Sequence, residues 1–219
     1  MKSRTRKRAE NPVIMPLLPV SLNIENALCL VVGGGKIAYR KTTALLECGA
    51  KVLLVAPQLD EIFQPIQERI DYQSRAFLPQ DCENARLIFA CTDDNAINLQ
   101  VVQIAAQAGI WCNVCDDAKK STFHSAACMR RDDITIAIST NGQSPALARH
   151  LKTKIEDCIG LEYGEFAKLL ARHRKTGNAD WRGFLESDAL TKVLLLIKNG
   201  EIDAADKLLA NEIPPCKGG

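Results

Sequence analysis

A β-branched run, three consecutive glycines and a helix-forming run follow one another without interruption in Leu30-Val31-Val32-Gly33-Gly34-Gly35-Lys36-Ile37-Ala38. Three adjacent residues without Cβ neither extend a strand nor start a stable helix, but they allow a sharp turn between the two. A strand that enters a helix through such a turn opens a parallel βαβ unit. Gly33, Gly35 and Ala38 match GxGxxA, and each position has a task. Gly33 turns the chain, Gly35 lets backbone N–H groups approach a pyrophosphate, and Ala38 lets helix and strand pack closely. Lys36, Arg40 and Lys41 fall in the first turns of the helix, where the macrodipole disfavours cations by about 0.3–1 kcal/mol each. An anion resting on Gly33, Gly34, Gly35, Lys36 and Ile37 removes that conflict.

The rest of the chain continues the alternation. The pattern predicts strands over Ala27–Val32, Val52–Ala56, Asp71–Phe77, Arg86–Ala90 and Ile110–Cys115. Helices are predicted over Ile37–Cys48, Leu59–Arg69 and Asn95–Ala108. Ile37, Ala44, Leu45 and Cys48 form the apolar side of the first helix, with Gly49 as its cap. The character changes at Asp116: Ile134–Ser139 reads as a lone strand, and from Pro145 onward the chain reads as helical, with helices over Pro145–Ile159, Glu165–His173, Ala189–Lys198 and Ile202–Asn211. The expected fold class is α/β, with an N-terminal Rossmann-like parallel sheet, a small strand-helix dimerisation segment and a helical C-terminal domain. The expected divisions are a basic tail over residues 1–14, a dinucleotide-binding domain over 15–115, a dimerisation and substrate segment over 116–150, and a helical domain over 151–219. Met15 directly precedes the first ordered-looking segment and is a candidate start.

Composition narrows the function classes. The 219 residues are 47% hydrophobic and 25% charged, the mixture of a globule rather than of a disordered tail. No apolar run approaches the ~18 residues of a membrane span. The net charge of +2 hides a basic head of Lys2, Arg4, Arg6, Lys7 and Arg8, which leaves the remainder slightly acidic and argues against a nucleic-acid footprint. That head lacks an apolar signal core, and nine cysteines cannot all pair internally, so reduced thiols in the cytoplasm are expected. Cys112 and Cys115 form the only CxxC. With no second ligand pair beside them, they read as small buried hydrophobes.

After the second strand, Leu53-Leu54-Val55-Ala56-Pro57-Gln58 offers no carboxylate for a ribose 2′-hydroxyl and no Arg for a 2′-phosphate. The backbone at Pro57 and Gln58, and Thr92-Asp93-Asp94 after the fourth strand, are therefore the expected adenosine contacts. Ligands in such sheets lie beyond the carboxyl ends of the strands.

The chain resembles the precorrin-2 dehydrogenase family, the module that also forms the N-terminal part of siroheme synthase. The residues that carry the resemblance include Met15-Pro16-Leu17-Leu18-Pro19-Val20, the glycine turn with Ala38 and Arg40-Lys41, Val55-Ala56-Pro57 and Thr92-Asp93-Asp94. They continue through Asn113-Val114-Cys115-Asp116 and the run from Ile138 to Arg149. The resemblance implies NAD as cofactor, oxidation of precorrin-2 to sirohydrochlorin in siroheme biosynthesis, a homodimer, and Asp116 as the catalytic carboxylate. On chemistry alone Asp117 competes with it, and an Asp at a strand end is commonly a turn former.

A tetrapyrrole ringed with acetate and propionate groups calls for cations and helix N-termini. Ser144-Pro145 is a strong helix start. Ser139, Asn141, Gln143 and Ser144 present donors, and Arg149 is the cation expected to act with them, with Arg130, Arg131, His150 and Lys152 close in sequence. The family commonly has a proline in the run after the catalytic Asp. Here Thr122-Phe123-His124-Ser125-Ala126 lacks it and introduces His124, which reads as structural ahead of metal-handling. Some relatives also insert iron into sirohydrochlorin, so the resemblance leaves metal chelation open beside the dehydrogenation. Phe123 and the 134–139 strand are expected to need a partner surface. The rival reading is a non-catalytic NAD-sensing module. A short-chain reductase is set aside, because Tyr39, Tyr72 and Tyr163 are followed four residues later by Thr43, Ala76 and Ala167 instead of Lys.

Overall fold

The structure is a computed structural model that describes residues 16–174 and 181–212. The basic head and Met15 lie outside them. The chain divides into two compact units, residues 1–125 and 126–219.

The first unit is built on strands β1 (Leu28–Val32), β2 (Lys51–Val55), β3 (Asp71–Gln73), β4 (Leu87–Ala90) and β5 (Trp111–Val114). Helix α1 (Lys36–Glu47) joins β1 to β2, and α2 (Asn95–Gln107) joins β4 to β5. All pairs are parallel and the order is β3-β2-β1-β4-β5, so the chain reverses its direction of travel across the sheet between β1 and β4. Because both faces are covered, the central strands β1 and β4 are apolar throughout rather than alternating. Cys29 and Val31 enter the core under α1 with Leu54, Leu45 and Phe63. Leu30 and Val32 enter the opposite core with Ile88, Val101 and Val114.

Several expected boundaries shift. The buried side of α1 is Ala38, Thr42 and Leu45, while Ile37 is 41% exposed and Ala44 is exposed. The small Ala38 must face the strand that leads into the turn, which fixes the helix's rotation and leaves Ile37 at the mouth. The expected helix over Leu59–Arg69 is a 3₁₀ segment, Glu61–Arg69, capped by the Asp60 side chain. Pro65 removes one donor, and the buried pair Phe63 and Ile66 is three apart, which suits three residues per turn. The third strand stops at Gln73, where Arg75 turns to Asp81 in a bidentate pair at 2.6 and 2.8 Å.

In the second unit, the 134–139 segment is not a lone strand. It is β7 (Ile134–Ile138) of an antiparallel hairpin with β6 (Ala127–Arg131), which alternation alone missed because the inward face of β6, Ala127, Met129 and Arg131, ends in a charged residue. Asp132 takes φ 49° in the turn between them. Helix α3 (Pro145–Cys158) packs on this hairpin, and α4 (Glu162–Arg174), α5 (Trp181–Leu185), α6 (Asp188–Lys198) and α7 (Ile202–Glu212) follow. Phe166, Leu169, Phe184, Val193 and Leu209 fill the helical core. α5 was not expected from sequence. No helix among the described residues is long and apolar enough to cross a membrane.

The Arg75 guanidinium holds the Asp81 carboxyl below the ordinary carboxylate range, and the Leu78 N–H adds a bond at 2.8 Å. A carboxyl held lower in the folded than in the unfolded chain stabilises the fold above the unfolded value of about 3.9, and that stabilisation fades as the pH falls through the folded value. Asp81→Asn should therefore cost about 1–3 kcal/mol at neutral pH, measured by urea denaturation. The gap from the parent chain should close below about pH 4.

Candidate active site

The chain reverses its direction of travel between β1 and β4, and in such sheets a ligand lies beyond the carboxyl ends of the strands at that reversal. Gly33 closes β1 with φ 121°, and its N–H donates to the Val55 carbonyl at 2.9 Å. A Cβ on Gly33 would stand 2.5 Å from the Cys91 carbonyl oxygen, so the turn nests against the end of β4. A Cβ on Gly34 would collide with the Gln58 carbonyl, whereas one on Gly35 would meet nothing within 4 Å. The three glycines thus divide the work: two let the turn pack between β2 and β4, and the third faces open space. The packing role of Gly34 was not apparent from the motif.

Gly35 is also the N-cap of α1 and supplies no side-chain cap, and the first turn contains no acid. The helix's positive end and its free N–H groups therefore face that open space. This arrangement fits a pyrophosphate. Lys36 and Arg40 are exposed beside it, while Lys41 turns inward and holds its ammonium 5.3 Å from the centre of the Phe89 ring. Pro57 and Gln58 lie exposed at the end of β2, and Ser74 donates to the Pro57 carbonyl at 3.2 Å. Thr92 is engaged with Asn98, whose amide donates to the Thr92 carbonyl at 2.9 Å. Asp94 caps α2 through the Ala96 and Ile97 N–H groups, and Asp93 stands exposed between them.

One strand further on, the two competing carboxylates separate. Asp117 accepts from Lys120 at 2.9 Å and from the Lys119 N–H at 3.0 Å, and these contacts hold its carboxyl below the usual range. Asp116 is exposed at the end of β5 and makes no hydrogen bond or ion pair among the described residues. The turn-forming role belongs to Asp117. Ser121 and Thr122 then fold back along β5: Thr122 exchanges bonds with the Cys112 backbone, and the Val114 N–H donates to Ser121 Oγ at 2.9 Å. Phe123 needs no partner chain, since it meets Phe89 edge-on at 5.3 Å. His124 Nε2 lies 3.1 Å from the Ala118 carbonyl, a structural contact. No group of three metal-ligating side chains occurs among the described residues.

Of the CxxC, only Cys112 is a fully buried core residue, and burial pushes its thiol up to about 12. Cys115 lies on the other face of the sheet, where its thiol meets that of Cys91 at 2.6 Å. A separation of three residues puts the two members of the motif on opposite sides of a strand.

In the second unit, Ser139 Oγ accepts from the Asn141 N–H, Asn141 and Gly142 take positive φ, and Ser144 caps α3 by accepting from the Leu147 N–H at 3.2 Å. Gln143 and Arg149 are exposed, with Arg149 Nε donating to the Pro145 carbonyl at 3.3 Å. The expected cationic cluster is thinner than its sequence spacing implied. Arg131 donates to the Ile159 and Glu156 carbonyls at the end of α3, and Lys152 pairs with Glu156 at 3.1 Å.

A family model described as NAD(P)-binding matches residues 20–127, and one described as the central part of a sirohaem biosynthesis protein matches residues 131–157. This chain belongs to the siroheme synthase family. A siroheme synthase of Methylococcus capsulatus is 39% identical over 163 residues, covering 74% of this chain and 34% of the relative. One of Photorhabdus laumondii is 32% identical over 207 residues, covering 91% and 44%. The chain thus spans under half the length of these curated relatives. The solved structure titled "SirC, precorrin-2 dehydrogenase" shares the fold with a TM-score of 0.67 at 21% identity, over 89% of this chain and 98% of that one.

The packing around the turn predicts a contrast between neighbouring glycines. Gly34→Ala should lower stability by about 1–3 kcal/mol in thermal denaturation, because its methyl overlaps backbone at Gln58. Gly35→Ala, into open space, should leave the melting temperature unchanged within a degree or so.

Proposed function

We propose that this chain is an NAD-dependent precorrin-2 dehydrogenase that forms sirohydrochlorin. The observation that carries the reading is the open, uncapped glycine turn at the sheet reversal, with an unpaired carboxylate, Asp116, at the end of a neighbouring strand. Bound there, NAD supplies a hydride acceptor. The backbone N–H groups from Gly35 to Ile37 and the cations Lys36 and Arg40 hold the pyrophosphate, while Pro57, Gln58, Thr92 and Asp93 border the adenosine. Asp116 takes the proton released as precorrin-2 is oxidised, so that the substrate loses a hydride and a proton together. Asp117 cannot share this role while Lys120 engages it.

Gln143, Arg149 and the backbone donors around Ser139, Asn141 and Ser144 are proposed to bind carboxylates of the macrocycle. The segment 116–150 is proposed to pair two copies of the chain, a reading supported by Leu147, exposed on α3, with the exposed Leu151 one turn further along just past the segment. The proposed setting is the cytoplasm, in keeping with nine cysteines, none of them in a disulfide among the described residues.

Anaerobic incubation with precorrin-2 and NAD, followed by NADH absorbance, tests the reading. Asp116→Ala should lose about 100-fold or more in kcat, and Asp117→Ala should keep most of its turnover. Gly35→Ala should weaken NAD binding in calorimetry by about tenfold, since its methyl occupies the phosphate position. NAD binding without turnover in the parent chain would mark a sensor instead of an enzyme.

A further inference from the structure

The parallel register of β4 and β5 runs from Leu87 beside Trp111 to Ala90 beside Val114, and the next pair in that register is Cys91 and Cys115. The ladder continues into this pair, because the Cys115 N–H donates to the Ala90 carbonyl at 3.0 Å and the Cys91 N–H to the Val32 carbonyl at 2.8 Å. Neighbouring strands lie about 4.8 Å apart, inside the Cα separation of about 4.4–6.8 Å that a disulfide bridges. Side by side in register, the two side chains leave the sheet on the same face, and one thiol already donates to the other. Both residues are only half-buried, in contrast to Cys112. The hydrogen bond from Cys91, with Lys41 and Arg40 nearby, holds the Cys115 thiol below its ordinary value, while the same bond and burial raise that of Cys91.

We propose that Cys91 and Cys115 are a site of reversible oxidation that closes to an intramolecular disulfide when the chain meets a peroxide. The Cys115 thiolate attacks one peroxide oxygen. The O–O bond breaks, an S–O bond forms, and the hydroxide that leaves takes the proton of the Cys91 thiol and becomes water. The Cys91 thiolate then displaces hydroxide from the oxidised sulfur, so that the S–O bond breaks and the S–S bond forms. Two electrons pass from the two sulfurs to the peroxide, and a small thiol reductant restores the pair. The bond ties β4 to β5 directly beside the Gly33 turn, which packs on the Cys91 carbonyl. This pairing stands on strand register and thiol chemistry and is independent of the reaction proposed above.

The test treats the reduced full chain with a few equivalents of hydrogen peroxide, alkylates it under denaturing conditions and weighs it. Two fewer of the nine cysteines should take up reagent, and a reductant should restore both. Trypsin and endoproteinase Asp-N together place Cys91 on peptide 87–92 and Cys115 on peptide 94–115, which should appear linked. Cys112→Ser should keep the link in full, whereas Cys91→Ser and Cys115→Ser should each abolish it. If one of these two variants fails to fold by circular dichroism, the other decides. The oxidised parent should melt several degrees higher than the reduced chain. An unchanged thiol count, a link that uses Cys112 or survives Cys115→Ser, or a link between two chains would overturn the proposal.

Discussion

The close approach of backbone to backbone at Gly33 and Gly34 is the constraint on which the N-terminal unit rests. The turn leaving β1 lies against the Cys91 carbonyl on one side and the Gln58 carbonyl on the other, and no residue with a Cβ fits either position without moving a strand end. That nesting fixes where α1 begins and which of its residues face the sheet. It also leaves the helix's first N–H groups without a side-chain cap. A helix end left bare in this way, at the reversal of a parallel sheet and bordered by cations, is electrostatically suited to a phosphate.

A second organising feature is the division of labour among groups that look alike in the sequence. Asp116 and Asp117 are adjacent carboxylates, yet Lys120 and the Lys119 backbone engage one and leave the other exposed at the ligand edge. Cys112 and Cys115 belong to one motif, yet strand geometry sends the first into the core and the second against Cys91. Arg131, Arg149 and Lys152 share one short stretch, but Arg131 is spent on the last turn of α3 and Lys152 on Glu156, leaving Arg149 exposed. In each case the partner lies outside the motif.

This pattern explains what could be read in advance. The parallel sheet, the glycine turn and the Ser144 cap were legible because each depends on residues within one or two turns of chain: periodicity, a missing Cβ, a hydroxyl at a helix start. The rotation of α1 was misjudged because the demand on Ala38 comes from β1 rather than from the helix's own apolar pattern. The hairpin of β6 and β7 escaped because pairing, not alternation, defines it, and Phe123 was assigned to a missing partner because its real neighbour, Phe89, lies on another strand. The choice between Asp116 and Asp117 rested on resemblance, because the Lys120 contact that sets the two carboxylates apart depends on how the turn folds.

The fold-back of Ser121 and Thr122 along β5 has a consequence for solubility and assembly. Their hydroxyls and backbone occupy hydrogen-bonding positions that an outer strand would otherwise offer to another chain. At the opposite border β3 is only three residues long. A sheet finished in this manner resists growth by strand addition, so copies of the unit can crowd together without zipping into fibrils.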